Sequence, residues 1–289
     1  ISVGEEIQTS IFTDADFEAF EDRLSEETAL LEKWGNDGRF SEGAYMVGAE
    51  LEAWLVGPDM RPQPRNAEFL QRQGGDMVVP ELSAFNVEFN VTPQPLSGSA
   101  LGALEQGLSE IWRGAESTAA DMNLALMMIG ILPTVADTEL TIENMSSWER
   151  YRALNEQILQ ARQGRAISLD ITGADVLQAN HFDVMLEAAA TSFQIHLKVP
   201  ASQSARFYNA SKIVSAPLVA ASANSPFLFG KQLWEETRIP LFEQAVSVGD
   251  WDYSERVTFG VGYVDDSLVE CFRSNRQRYP VLLPAVEDT

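Results

Sequence analysis

The segment from Tyr45 to Val56 constrains the fold more than any other, because its side chains alternate between two faces. A β-strand places successive side chains on opposite sides of a sheet. One face of this segment is apolar, and the other carries Glu50 and Glu52 between Met46 and Trp54. Two glutamates two positions apart in a strand project from one face, about 6 to 7 Å apart. The segment therefore predicts a strand with one apolar face and one face bearing carboxylates.

Two further segments alternate in the same way. The segment Phe85–Val91 places Glu88 on its polar face, and Glu81 lies seven residues earlier, in the approach to that strand. The segment Thr191–Val199 places His196 on its polar face. Polar faces of separate strands can converge in the concavity of one sheet, where carboxylates and an imidazole hold metal ions and the metals hold phosphates.

The other elements mix helices and strands without a regular alternation. Apolar spacing and end signals predict helices over Asp14–Trp34, Ala67–Gln73, Ser99–Asn123, Ser147–Arg162 and Gln203–Ala223, a strand buried on both faces over Leu124–Ile131 and a short strand over Ala166–Ile171. We therefore predict a single α+β domain over residues 1–289 with a largely antiparallel sheet.

Composition excludes several classes of partner. The chain has 43 acidic and 20 basic residues and a formal net charge of −23, so it should repel a phosphate backbone, and we expect no nucleic-acid partner. No apolar run reaches the roughly 18 residues of a membrane span, so we expect no membrane partner. The single cysteine, Cys271, fits a reducing compartment, and we expect a cytoplasmic location.

The chemistry of the chain has to come from carboxylates on strands. The sequence has no P-loop, no dinucleotide-binding glycine motif, no paired-cysteine zinc spacing and no G-x-S-x-G elbow. Two nearby carboxylates repel each other, and a hard divalent cation such as Mg²⁺ or Mn²⁺ removes that cost. The alternative for the glutamates is a solvated face, but Met46 and Trp54 beside them argue against it. A lone histidine such as His196 is more often structural, and only the three polar strand faces together favour a metal ligand.

Five segments, in order along the chain, resemble the glutamate–cysteine ligase family, particularly its bacterial carboxylate–amine ligase branch. The segments are Val47-Gly-Ala-Glu-Leu-Glu52, Glu81-Leu-Ser-Ala-Phe-Asn-Val-Glu88 with Thr92-Pro93, Trp148-Glu-Arg-Tyr-Arg152, Phe193-Gln-Ile-His-Leu197, and Pro217 to Phe227 with its Asn224-Ser225-Pro226 turn. Any one of them is weak evidence, whereas five in the family's order form a specific pattern.

The resemblance implies a glutamine-synthetase-like fold, in which a curved, mainly antiparallel sheet forms a funnel with helices on its outer face. It implies an ATP- and Mg²⁺-dependent ligase that converts a glutamate-like carboxylate to an acyl phosphate, which an amine then attacks. By this resemblance Arg238 is a catalytic residue and, with Asn224 and Ser225, binds the nucleotide or the carboxylate. The implied metal ligands are Glu50, Glu52, Glu81, Glu88 and His196, with Glu81 the weaker candidate.

The sequence departs from the family pattern at three places. The family's T-H-P turn is Ile131-Leu132-Pro133 here, and the stretch Gln232–Glu236 is bulkier and more acidic than its counterpart. The family's late Glu-x-Arg strand has no match, since Val269–Arg273 has the wrong spacing and predicts a helix. We therefore expect residues 1–289 to lack the C-terminal part of the fold and to bind divalent metal, at least weakly, without ligase turnover. Because a sheet edge would be open, we expect the chain either to be less stable than the full-length protein or to cover the edge by forming a homo-oligomer. A longer chain with such a strand should restore turnover.

Two other functions remain open at the level of sequence. The lost histidine and the unmatched strand would also fit a binding or regulatory homologue that keeps the fold without turnover. Clustered carboxylates alone would serve a metal-dependent hydrolase. ADP formation that requires both glutamate and an added amine separates the ligase from both alternatives.

Overall fold

The computed structural model describes residues 6–7, 9–249, 256–260 and 262–285. Its strands are β1 (Met46–Val56), β2 (Val78–Pro80), β3 (Asn86–Asn90), β4 (Gln94–Pro95), β5 (Ala125–Met127), β6 (Ile167–Thr172), β7 (Val176–His181), β8 (Phe193–Lys198), β9 (Phe227–Leu228) and β10 (Lys231–Gln232). Its α-helices are α1 (Asp14–Asn36), α2 (Asn66–Gln73), α3 (Ala100–Asp121), α4 (Glu149–Ala161), α5 (Ser204–Ser222), α6 (Arg238–Ala245) and α7 (Val269–Arg278). The five predicted helices are confirmed with shifted ends, and α7 confirms the helix predicted at Val269.

Strand β1 is the centre of a six-stranded sheet in which every pairing is antiparallel. Residue Glu50 pairs with Asn90 of β3 on one side of β1 and with Gln194 of β8 on the other. Strand β2 extends the sheet beyond β3, and β4 and β5 pair with the two ends of β1. The predicted antiparallel α+β architecture is therefore confirmed, and the funnel shape stays a prediction.

The two faces of β1 pack against different cores. Leu51 and Leu55 face α3, where Ala115 and Ala119 are fully buried. Trp54 lies on the opposite face, stacks on Phe85 at 5.3 Å between ring centroids, and joins the core formed with β6, β7, α4 and α6. The alternation of β1 thus places Glu50 and Glu52 on the face that leads into this second core.

The prediction of a doubly buried strand over Leu124–Ile131 is wrong in extent and in burial. Only β5 is a strand, and its Ala125 is exposed. Strand β5 pairs only with the end of β1, so it does not reach the interior of the sheet. After β5 the chain leaves the sheet, and Ile131 and Leu132 are buried in the core below it. The apolar run therefore predicted correctly that some of its residues are buried, but it did not predict the extent of the strand.

Strand β8 lies at a sheet edge with both of its faces exposed. Its Phe193, Ile195 and Leu197 are 56%, 62% and 46% exposed. The predicted alternation is present, but among the described residues no element covers the apolar face. Most of α5 is exposed as well, and Ser204 is its one buried residue.

Within the described ranges, no helix is both long enough and apolar enough to cross a bilayer.

Candidate carboxylate-rich active site

The register of β1 and β3 places two carboxylates directly opposite each other. Glu52 on β1 pairs with Glu88 on β3, and both side chains project from the face that bears Glu50. Glu88 is buried at 7% exposure and accepts a hydrogen bond from Asn90 Nδ2 at 2.8 Å. Glu52 accepts from the backbone N–H of Ser192 at 2.9 Å and from its hydroxyl at 2.6 Å. Since like charges directly across an antiparallel pair repel, this register needs a compensating cation or proton.

Glu81 completes a cluster of three carboxylates. It follows β2 directly, and its Oε2 accepts a hydrogen bond from the N–H of Leu82. One carboxylate oxygen from each of Glu52, Glu81 and Glu88 lies within 4.8 Å of the other two. We call these three residues the carboxylate cluster.

Hydrogen bonds and the charge of Arg238 compensate the negative charge of the cluster only in part. Burial, together with the negative charges of Glu52 and Glu88, raises the pKa of Glu81 to about 8. Burial also raises the pKa of Glu52, against the hydrogen bonds from Ser192. Desolvation and neighbouring like charge both favour the neutral form of a carboxyl group. A cation bound among these oxygens would remove both penalties.

Glu50 and His196, two other predicted metal ligands, lie outside the carboxylate cluster. They face each other across β1 and β8, with His196 Nε2 at 3.3 Å from Glu50 Oε1. The side chain of His196 is 51% exposed and that of Glu50 is 25% exposed. Glu50 therefore shares a strand face with Glu52, but its nearest basic partner is an exposed histidine at the sheet edge. Their role as metal ligands stays a prediction.

Arg238 lies at the start of α6, where it forms a bidentate ion pair. Its Nε and Nη2 donate to the two oxygens of Glu236 at 2.5 and 2.9 Å, and its Nη1 donates to the carbonyl of Thr191 at 2.6 Å. Ser225 donates from its hydroxyl to Glu236 at 2.6 Å. These hydrogen bonds from Arg238 and Ser225 outweigh burial and lower the pKa of Glu236. Three of the five N–H donors of Arg238 are thus used inside the protein.

The two other residues predicted to bind the nucleotide, Ser225 and Asn224, differ in burial. Ser225 is fully buried and supports Glu236, whereas Asn224 is exposed. A Cβ at Gly130 would meet Asn224 Oδ1 at 2.4 Å and Arg238 Nε at 2.9 Å. Only glycine therefore leaves room for these two side chains. Nucleotide contacts by Asn224, Ser225 and Arg238 stay predictions.

A cavity of about 810 Å³ joins the carboxylate cluster to Arg238. This volume lies within the usual range of pockets for small molecules. The residues that line the cavity include one guanidinium and six carboxyl groups, those of Glu52, Glu81, Glu88, Glu187, Glu236 and Glu243. A polyanionic ligand would be repelled from such a cavity unless a cation neutralised part of its charge.

Glu187 is a further acidic residue of the cavity, and the sequence patterns did not identify it. It begins a one-turn 3₁₀ helix, Glu187–Ala189, whose two alanines are buried. Burial, with a smaller contribution from the charge of Glu52, raises the pKa of Glu187 to about 7. The available signal was a single charged residue in the otherwise apolar run from Val184 to Ala190. Glu236 was also missed as the partner of Arg238.

The carboxylate cluster fits a divalent metal ion. Mg²⁺ and Mn²⁺ prefer carboxylate oxygens, and two oxygens on one Mg²⁺ lie at most about 4.2 Å apart at ideal distances. Neighbouring oxygens on one Mg²⁺ lie about 3.0 Å apart, so the cluster oxygens, which lie within 4.8 Å of one another, would move inward to bind one ion together. Glu52, Glu81 and Glu88 would hold the ion, which would neutralise charge on phosphate oxygens when bound.

The pKa of Glu81 predicts a specific pH dependence of stability. A carboxyl group with an ordinary pKa of 4.5 and a folded-state pKa of about 8 keeps its proton in the folded state while the unfolded chain loses it. The free energy of unfolding should therefore fall between pH 5 and pH 8, by at most about 1.4 kcal/mol per pH unit from this group.

Urea unfolding at pH 5.5 and pH 8 in the presence of a chelator measures this effect. Glu81→Gln should flatten the decline, whereas Glu116→Gln, at an exposed position of α3, should leave it unchanged. A decline of the same steepness in Glu81→Gln would assign the effect to other groups. Added Mg²⁺ should stabilise the parent protein most at pH 8, where the carboxylates are charged.

Comparison with known proteins gives a family match and a structural similarity. The model of glutamate–cysteine ligase family 2 matches residues 26–279. The chain is similar to a crystal structure of glutamate–cysteine ligase from Francisella tularensis in complex with AMP, with 11% sequence identity and a TM-score of 0.34. That similarity covers 63% of this chain and 30% of the Francisella chain. Comparison with curated protein sequences gives no match.

Proposed function

Because the chain belongs to glutamate–cysteine ligase family 2, we propose that it is an ATP- and Mg²⁺-dependent ligase that joins a glutamate-like carboxylate to an amine. The observation that carries this proposal is the single cavity that contains both the carboxylate cluster and Arg238. Such a cavity offers a place for a cation next to a donor for anionic oxygens. Phosphoryl transfer depends mainly on positioning and charge neutralisation, so it needs no nucleophilic triad.

The proposed reaction has two steps. An oxygen of the substrate carboxylate bonds to the γ-phosphorus of ATP, the bond to the β-γ bridging oxygen breaks, and ADP leaves. The amine nitrogen then bonds to the acyl carbon, the carbon–oxygen bond to phosphate breaks, and the nitrogen loses a proton. The products are an amide, ADP and phosphate.

Residues of this chain have defined tasks in these steps. Glu52, Glu81 and Glu88 would hold Mg²⁺, which supplies charge neutralisation at the phosphoryl oxygens when it is bound. Arg238 has two N–H donors without a partner among the described residues, and it lines the cavity. Those donors suit an oxygen of the substrate carboxylate or of the transferred phosphoryl group. The ion pair with Glu236 fixes the direction in which the guanidinium points.

An assay of ADP release tests the proposal. The protein is incubated with ATP and Mg²⁺ and with L-glutamate, L-cysteine, both or neither. Release that requires both amino acids supports the ligase. Binding of ATP and L-glutamate in calorimetry without ADP release in any mixture would fit both the binding homologue and the lack of turnover expected for residues 1–289. ADP release in a longer chain with a Glu-x-Arg strand would then decide for the ligase, and its absence there would favour the binding homologue. Release that depends on neither amino acid would favour a hydrolase.

A further inference from the structure

Glu187 differs from the four carboxylates of the cavity that accept hydrogen bonds, because one of its oxygens has no donor among the described residues. Glu52, Glu81, Glu88 and Glu236 each accept at least one hydrogen bond from the protein. The Oε2 atom of Glu187 is buried and has no hydrogen-bond partner among the described residues. An unsatisfied buried carboxylate oxygen is costly, because it has lost the water that would solvate it. Because Glu187 also lines the cavity, a ligand that donates hydrogen bonds there would satisfy this oxygen once the carboxylate rotates toward it.

Hydrogen bonds hold the backbone around Glu187 in place. The N–H of Glu187 donates to the carbonyl of Val184, and the carbonyl of Glu187 accepts from Ala190. Thr191, four residues later, donates from its N–H to Gly130 and accepts from Arg238 at its carbonyl. The backbone of this segment is thus fixed at both ends, which keeps Glu187 at the cavity wall.

We infer that Glu187 binds the ammonium group of an amino-acid substrate in this cavity. The inference rests on the proposed function, which requires an amine and a glutamate-like carboxylate in one site. A metal ion is a poorer occupant, because Glu187 is not among the three residues whose oxygens lie within 4.8 Å of one another. One carboxylate suits an ammonium group, which donates hydrogen bonds and carries the opposite charge. The ammonium group belongs either to the glutamate-like substrate or to the acceptor amine.

Calorimetry with matched ligand pairs tests the inference and distinguishes these two sources. L-Glutamate is compared with glutarate, and L-cysteine with 3-mercaptopropionate; each pair differs only in the ammonium group. Titrations are made at pH 8 with Mg²⁺ present for the parent protein, Glu187→Gln and Glu243→Gln. Glu243 lines the same cavity but is exposed, so its replacement is the matched control.

We expect Glu187→Gln to weaken one ammonium-bearing ligand by about tenfold or more, the usual effect of a lost charge-assisted hydrogen bond. The corresponding ligand without the ammonium group should bind no more weakly than it does to the parent, because the replacement also removes a negative charge that repels its carboxylates. Glu243→Gln should likewise weaken none of the four ligands. A loss confined to L-glutamate identifies the α-ammonium of the carboxylate substrate. A loss confined to L-cysteine identifies the acceptor amine.

Three results would overturn the inference. Equal affinity in the parent and Glu187→Gln, or equal losses for both members of a pair, would overturn it alone. Failure of the parent protein to bind any of the four ligands would overturn the proposed function together with it. If Glu187→Gln does not fold, Glu187→Asp takes its place, because it keeps the charge but withdraws it by one methylene. Parent-like affinity of Glu187→Asp for both ammonium-bearing ligands would then contradict the inference.

Discussion

Replacing Glu52, Glu81 or Glu88 by glutamine is expected to lower the affinity for Mn²⁺ by about tenfold or more, since even residues that only support a metal ligand contribute 10- to 100-fold. Each replacement keeps the shape of the side chain but removes one charged ligand from a cluster whose oxygens lie within 4.8 Å of one another. Calorimetric titration with Mn²⁺ measures the loss.

The same replacements should act in the opposite direction on the metal-free protein. Glu52 and Glu88 are paired across β1 and β3, and like charges in that position destabilise the sheet. Removing one of them should raise the free energy of unfolding by up to about 1 kcal/mol in the presence of a chelator. Weaker metal binding with a more stable apoprotein is a combination that general loss of structure cannot produce.

Glu50→Gln and His196→Asn are the informative controls. The family resemblance implies that both residues bind metal, whereas the structure pairs them with each other outside the carboxylate cluster. If the cluster alone holds the ion, both variants should bind Mn²⁺ like the parent. Losses equal to that of Glu88→Gln would extend the site along β1 to β8. Unchanged affinity in the three cluster variants would refute the metal site.

Sequence alone was sufficient to predict the strand faces that carry Glu52 and Glu88, because strand alternation is a local property. The period of two in Tyr45–Val56 and in Phe85–Val91 fixed which side chains share a face. Pairing is not local, since register depends on residues that are far apart in the chain. The structure pairs Glu52 with Glu88, 36 positions later, and His196 with Gly48. The separation of His196 from the cluster therefore could not be predicted from alternation.

Burial was harder to predict than secondary structure. The run Leu124–Ile131 is apolar because part of it lies in the core, and only Ala125–Met127 forms a strand. Strand β8 shows the converse case, with a regular alternation but exposed faces. Glu187 belongs to neither pattern, because it lies in a 3₁₀ turn that no periodicity marks. Tertiary packing, which periodicity does not encode, decides all three cases.

Removing the charge of Arg238 is expected to destabilise the fold by about 3 kcal/mol, because it leaves a buried carboxylate without its partner. Glu236 is 7% exposed and accepts two hydrogen bonds from Arg238. Arg238→Met removes the donors to Glu236 and the one to Thr191 while roughly preserving the length of the side chain. Urea unfolding at pH 7 measures the loss.

A double-mutant cycle measures the interaction energy between Arg238 and Glu236 separately from the contacts that each makes with other residues. Glu236→Gln alone should cost less than Arg238→Met, because a neutral amide buried beside a partly exposed guanidinium is a smaller penalty than an unpaired buried carboxylate. The double variant should recover part of the loss of Arg238→Met, since no buried charge remains. Strictly additive losses would mean that the two residues do not act as a pair.

Arg238→Lys separates the structural role of this residue from a role in ligand binding. Lysine keeps the positive charge near Glu236 but has no planar fork, so it cannot bind Glu236 through two donors and still direct others into the cavity. We expect a modest loss of stability together with a loss of ATP or L-glutamate affinity of about tenfold or more. Parent-like affinity in a folded Arg238→Lys would show that Arg238 contributes only its charge. Lost affinity in a variant with nearly parental stability would place the guanidinium in contact with the substrate, with Glu236 as the residue that orients it.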